Sequence, residues 1–87
     1  MDKEKLEVIY QNGMWYLFLV SLISSDTLVD IESCEQSLFT INSTLTALPE
    51  ANIPEEEKTK AMEMLRKGIK IVERDMKMFQ QNKKNSN

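Results

Sequence analysis

The sequence predicts an all-α fold, a three-helix arrangement built on a long antiparallel helical hairpin. Three observations predict it. Apolar residues over the last two thirds of the chain recur at steps of three and four, the period of a helix face. Only two Gly and two Pro occur in 87 residues, and both prolines, Pro49 and Pro54, fall between the two periodic stretches. Acidic residues dominate residues 1–57 and basic residues dominate 58–87, so two helices folded back on each other would bring opposite charges together.

The first segment, residues 2–24, carries a rough helical seam of Leu6, Ile9, Gly13, Tyr16 or Leu17, Val20 and Ile23. Trp15, Phe18, Leu19 and Leu22 make its second half apolar almost all round, as in a helix buried on several sides. The same residues also fit two strands, 6–10 and 15–21, flanking Asn12-Gly13, a strong hairpin-turn dipeptide. The alternative fold is therefore α+β, with an N-terminal β-hairpin packed on two helices. Helix is preferred because an interior Gly costs only ~1 kcal/mol, which packing overrides.

The second segment follows Ser24-Ser25-Asp26, a candidate N-cap cluster. Its seam is Leu28, Ile31, Cys34, Leu38, Ile41, Leu45 and Leu48, and Pro49 ends it. Residues 37–46 are rich in Ser and Thr and weak in helix propensity. The unbroken seam nevertheless carries the helix through them.

The third segment, residues 54 to about 81, has Pro54 in its first turn, where a missing N–H is harmless. Asn52 and Glu55 have the spacing of a capping box. Glu55, Glu56 and Glu57 set negative charge at the positive end of the helix dipole, and Lys77, Lys83 and Lys84 lie toward the other end. Met62, Leu65, Ile69, Val72, Met76 and Phe79 form the seam. Folding this segment onto the second sets Ile41 opposite Met62, Leu38 opposite Leu65, Cys34 opposite Ile69 and Ile31 opposite Val72. That register brings Glu35 near Lys67 or Lys70, Glu32 near Lys70 or Arg74, Asp30 near Arg74, and Asp26 near Lys77. Each exposed pair is worth only ~0–1 kcal/mol, so their message concerns register. Residues 1–81 are read as a single helical domain, and 82–87 as a polar tail that frays.

Composition excludes much chemistry. The chain has no His and one Cys, so it has no imidazole base or ligand, no intrachain disulfide and no cysteine-rich zinc site. Its two glycines are far apart, leaving no phosphate-cradling loop. No catalytic residue, cofactor or metal is expected. A lone Cys fits a reducing, cytoplasmic setting. Cys34 reads as a small buried hydrophobe on the seam rather than a nucleophile. Glu55, Glu56 and Glu57 splay around a helix and cannot converge on one ion. Asn42-Ser43-Thr44 matches a glycosylation sequon, a chance match in a cytoplasmic chain. Nine Lys against two Arg, with six Asn, suggests an AT-rich bacterial or phage genome.

The net charge is −3, with an isoelectric point near 4.9. This argues against nucleic acid as a partner. The aromatic stretch Tyr10, Trp15, Tyr16 and Phe18 also lacks the basic residues that base stacking would want beside it. The apolar run 14–23 is too short for a membrane span, and the start Met-Asp-Lys-Glu-Lys is unlike a signal peptide.

What remains is an apolar surplus. Met64, Ile71 and Met78 form a second stripe along the third segment, suited to packing on the first segment or to an adaptable docking groove. Ala61 and Gly68 lie along the same stretch, small residues that would let an aromatic such as Trp15 approach the backbone. The expected protein-binding residues are Trp15, Tyr16, Phe18, Met64, Ile71 and Met78, all of which could equally serve in the core. The function expected is that of a small non-enzymatic regulator, inhibitor or chaperone acting by stoichiometric association with another protein, and a homodimer is the expected assembly. The alternatives are a protomer of a homo-oligomeric structure and a small membrane-associated protein.

Overall fold

The structure, a computed structural model, describes residues 2–24 and 28–85, the side chains of 83–85 excepted. All the regular structure in it is helical: α1 (Lys3–Gln11), α2 (Trp15–Ile23), α3 (Ile31–Ala47) and α4 (Glu55–Asn85), with one 3₁₀ turn, Leu48–Glu50, closing α3. The all-α class is as expected, without the alternative N-terminal hairpin. The first segment, however, is two helices rather than one.

The break lies at Asn12-Gly13. Gly13 has φ +72°, the left-handed conformation that favours glycine. The Gly13 N–H donates to the Tyr10 carbonyl (3.1 Å) and the Met14 N–H to the Ile9 carbonyl (3.0 Å). This pair of bonds is a Schellman motif, which satisfies the last carbonyls of α1 and turns the chain. Asn12-Gly13 therefore acts as a helix stop, neither a hairpin turn nor a tolerated interior glycine. Asp2 caps the other end of α1 by accepting from the Lys5 N–H at 2.9 Å.

α3 begins later than its seam implied. Asp30 is its N-cap. The carboxylate accepts from the Ser33 N–H (2.8 Å), and Ser33 Oγ accepts from the Asp30 N–H (3.1 Å). Such a reciprocal box is worth ~0.5–2 kcal/mol. Leu28 precedes the helix yet is buried. Ser25 and Asp26, expected to cap here, lie outside the described residues, as does the expected Asp26–Lys77 proximity. The Thr-rich stretch stays helical through its buried seam, with its hydroxyls turned back on their own helix. Thr40, Thr44 and Thr46 donate to the carbonyls of Gln36, Thr40 and Asn42 at 2.8–3.0 Å, so even the fully buried Thr44 leaves no idle donor.

The chain turns back after α3, and α4 packs antiparallel on it with a polar tie across the turn. The Lys58 ammonium, on a residue only 6% exposed, donates to the Pro49 carbonyl at 2.9 Å and to Glu55 Oε1 at 3.4 Å. The buried residues along this seam are Cys34, Ile41 and Leu48 on one side and Ala61, Leu65 and Val72 on the other. Leu38, Met62 and Ile69 pack beside them, half-buried. Among the described residues the cross-helix ion pairs expected from the register, of Glu35, Glu32 and Asp30 with Lys67, Lys70 or Arg74, are not formed. Among the described residues the ion pairs are Lys58–Glu55, Lys60–Glu56 and Arg74–Asp75, all within α4. The acids of α3's outer face, Glu32 and Glu35, and Lys67, Lys70 and Lys77 of α4 all face solvent.

The expected Asn52–Glu55 capping box is also replaced. Glu7 of α1 reaches the Asn52 N–H at 2.7 Å, and the Pro54 carbonyl accepts the first helical bond, from the Lys58 N–H. Glu55 is left to pair with Lys58. α4 continues past residue 81 to Asn85, since neither Pro nor Gly occurs after Gly68 to stop it. Its 31 residues set the 50 Å long axis of the molecule. α3 and α2 pack against this helix, and α1 rests on α2 and the turn after α3.

α2 packs on α4 at Gly68. A Cβ placed there would lie 2.6 Å from Ile23 Cγ2. The residue that the missing side chain admits is thus Ile23, not an aromatic.

Candidate functional site

α2 has eight apolar residues among its nine, more than its neighbours can cover. On a helical wheel, Trp15, Phe18, Leu19, Leu22 and Ile23 share one side. Trp15 and Leu19 are buried there, and Phe18, Leu22 and Ile23 are half-buried against the core. The opposite arc holds Tyr16, Leu17, Val20 and Ser21, with Met14 beside it. Tyr16 is 69% exposed, Leu17 62%, Met14 50% and Val20 40%. The Ser21 hydroxyl on this arc donates to the Phe18 carbonyl at 2.6 Å. No charged residue occurs between Glu7 and Asp26. The result is an uncharged apolar face in solvent.

Beside Tyr16 this face runs into a groove of about 560 Å³ between the α1–α2 turn and the first turns of α4. Tyr10, Tyr16, Leu19 and Met64 line it together with the polar Gln11, Glu57 and Lys60. Trp15 also borders it. Its ring meets Tyr10 edge-on and Phe18 at a tilt, both at 6.1 Å between centroids. The Trp15 Nε1–H is buried without an acceptor among the described residues, so the ring is held by packing alone.

The structure separates the six residues expected to bind protein. Tyr16 and Met78 are exposed, Phe18, Met64 and Ile71 are half-buried, and Trp15 is in the core. Trp15, Tyr16 and Met64 meet at the groove, with Phe18 against Trp15. Ile71 and Met78 continue the α4 stripe away from it, Met78 ending ~21 Å from Met64 at 1.5 Å per residue. Sequence reasoning missed Met14 and set Tyr16 or Leu17, with Val20, on the inward seam of one continuous helix; with the helix broken at Gly13 all four are exposed. A second exposed ring, Phe39 (74% exposed), stands on the outer face of α3 beside Glu32 and Glu35.

Cys34 is fully buried. Burial pushes its thiol pKa up, and the carboxylates of Asp75, Asp30 and Glu35 push it further, so the sulfur is held as an unreactive thiol. Among the described residues no three His, Cys, Asp or Glu side chains are grouped to hold a metal ion. No described helix is long and apolar enough to cross a membrane.

No family model, curated protein or solved structure matches this chain.

Proposed function

We propose that the protein acts by occupying a surface of a partner protein in stoichiometric association, as a small regulator, inhibitor or chaperone. The observation that carries this reading is the uncovered α2 face. Exposed aromatic and aliphatic side chains grouped on one helix are the usual anchors of a protein interface. The lack of His and the burial of Cys34 support a role without turnover, and a single thiol supports a reducing, cytoplasmic setting. The Lys and Asn bias supports a bacterial or phage source.

The test is a paired substitution on the exposed arc, Leu17→Lys with Val20→Lys, read by circular dichroism and by photo-crosslinking in the native host. Retained helicity with lost crosslinks is the expected result. Undiminished crosslinking by the folded variant would remove the α2 face from the function. A catalytic rate in purified protein that survives both changes would remove the non-enzymatic reading.

A further inference from the structure

Resting on that protein-binding reading, we propose that the occupant of the α2 face is a second copy of this chain, the two α2 helices crossing about a twofold axis with Leu17 and Val20 nearest the axis. In a twofold contact a patch meets its own duplicate, so a patch whose charges are all of one sign repels itself. The α2 arc carries no charge; the Ser21 hydroxyl is bonded within its own helix, and the Tyr16 phenol can donate to or accept from its counterpart. It is therefore self-compatible. The outer face of α3 is not, because Glu32 and Glu35 beside Phe39 would face their own copies.

Area agrees. Scaled by their exposures, Tyr16, Leu17, Val20 and Met14 offer roughly 400 Å² per copy, taking ~150–250 Å² for a whole large side chain. Two copies would bury ~800 Å² from these residues alone, about half of a standard ~1,600 Å² interface. The groove wall of Tyr10 and Met64, continuous with Tyr16, supplies adjoining surface. An apolar centre with a more polar rim is the usual anatomy of such contacts. A membrane surface is the weaker occupant. Helices that lie on lipid carry Lys and Arg along the polar flank, and the chain has no basic residue between Lys5 and Lys58.

Sedimentation equilibrium of the full chain at tens of micromolar decides the matter. The expected mass is twice the 10.1 kDa of one chain, falling to one chain for Leu17→Lys with Val20→Lys and unchanged for Phe39→Lys. Should the double variant unfold, Leu17→Cys gives the answer in a folded background. Mild oxidation should yield a disulfide-linked dimer for Leu17→Cys and none for Phe39→Cys, Cys34 being buried in both. A wild-type mass of one chain overturns the proposal, as does a dimer broken by Phe39→Lys and not by the α2 changes. If the monomer pellets with phosphatidylglycerol vesicles through Leu17 and Val20, the occupant is lipid and both readings fall. If the wild type is monomeric but its host crosslinks depend on Leu17 and Val20, the second copy is excluded and the protein-binding reading stands.

Discussion

Replacing Gly68 by Ala sets two effects of known size against each other. In a free helix the change stabilises by ~1 kcal/mol, because Ala loses less backbone entropy than Gly. In this fold the new methyl would lie 2.6 Å from Ile23 Cγ2 and 3.2 Å from Ile23 Cβ. The Ile23 branch is stiff at χ1, so relief requires α2 to shift from α4. Overpacking of this kind costs ~1–3 kcal/mol. The net expectation is destabilisation by ~0–2 kcal/mol, read as a lower urea midpoint at unchanged slope. The decisive measurement is the same change in an Ile23→Ala background. There Cγ2 is gone, the remaining contact yields with a few tenths of an ångström, and Gly68→Ala becomes neutral or stabilising by up to ~1 kcal/mol. The two changes should thus couple by ~1–2 kcal/mol, inside the range for side chains in contact. If Gly68→Ala stabilises the wild type by the full ~1 kcal/mol and Ile23→Ala does not alter that, α2 does not rest on α4 at this point.

Trp15→Ala should cost ~3–5 kcal/mol, whereas Tyr16→Ala, one residue along, should stay within ~0.5 kcal/mol; chemical denaturation of the two variants checks this at monomer concentrations. Lys58→Met should cost ~1–3 kcal/mol by leaving the Pro49 carbonyl without its donor, again measured in urea. The unfolded chain should release the Cys34 proton at the ordinary thiol pKa of ~8.5, before the native protein does. Stability fully present below that pH is then lost as pH rises toward the higher folded value, and Cys34→Ala should flatten this part of the profile. For the same reason iodoacetamide should label Cys34 only at the rate of opening, as mass spectrometry in increasing urea would show.

The helices α3 and α4 were legible because a buried seam repeats a spacing, and spacing is a local property. Cys34, Ile41, Leu65 and Val72 were all identified as seam residues from it. The start of α3 was legible in principle, since Asp30 and Ser33 have capping-box spacing with the side-chain types reversed. The break at Gly13 was not. Asn-Gly suits a hairpin, a helix interior and a helix stop, and the choice rests on bonds to Tyr10 and Ile9 and on what α2 packs against. The capture of the Asn52 N–H by Glu7 joins residues far apart in sequence, so no local pattern announces it. The candidate site was half legible for a related reason. A helix that is apolar all round does not say which side docks, so Trp15 and Tyr16, adjacent and both aromatic, looked alike until α4 covered one and left the other in water.

The stop at Gly13 also bears on the order in which the chain acquires structure. An isolated helix of fewer than ~12–15 residues is marginal in water, because nucleation is costly and few bonds follow it. Cutting the N-terminal segment into two helices of nine residues each puts both below that length, while the 31 residues of α4 are well above it. The α3–α4 hairpin can therefore form first and act as template, with α1 and α2 becoming helical only as they dock along it. In native-state hydrogen exchange such a chain opens in two stages. The amides of α1 and α2 exchange together through a partial opening that leaves Leu65 and Val72 protected, and the seam of α3 and α4 exchanges only when the whole molecule unfolds.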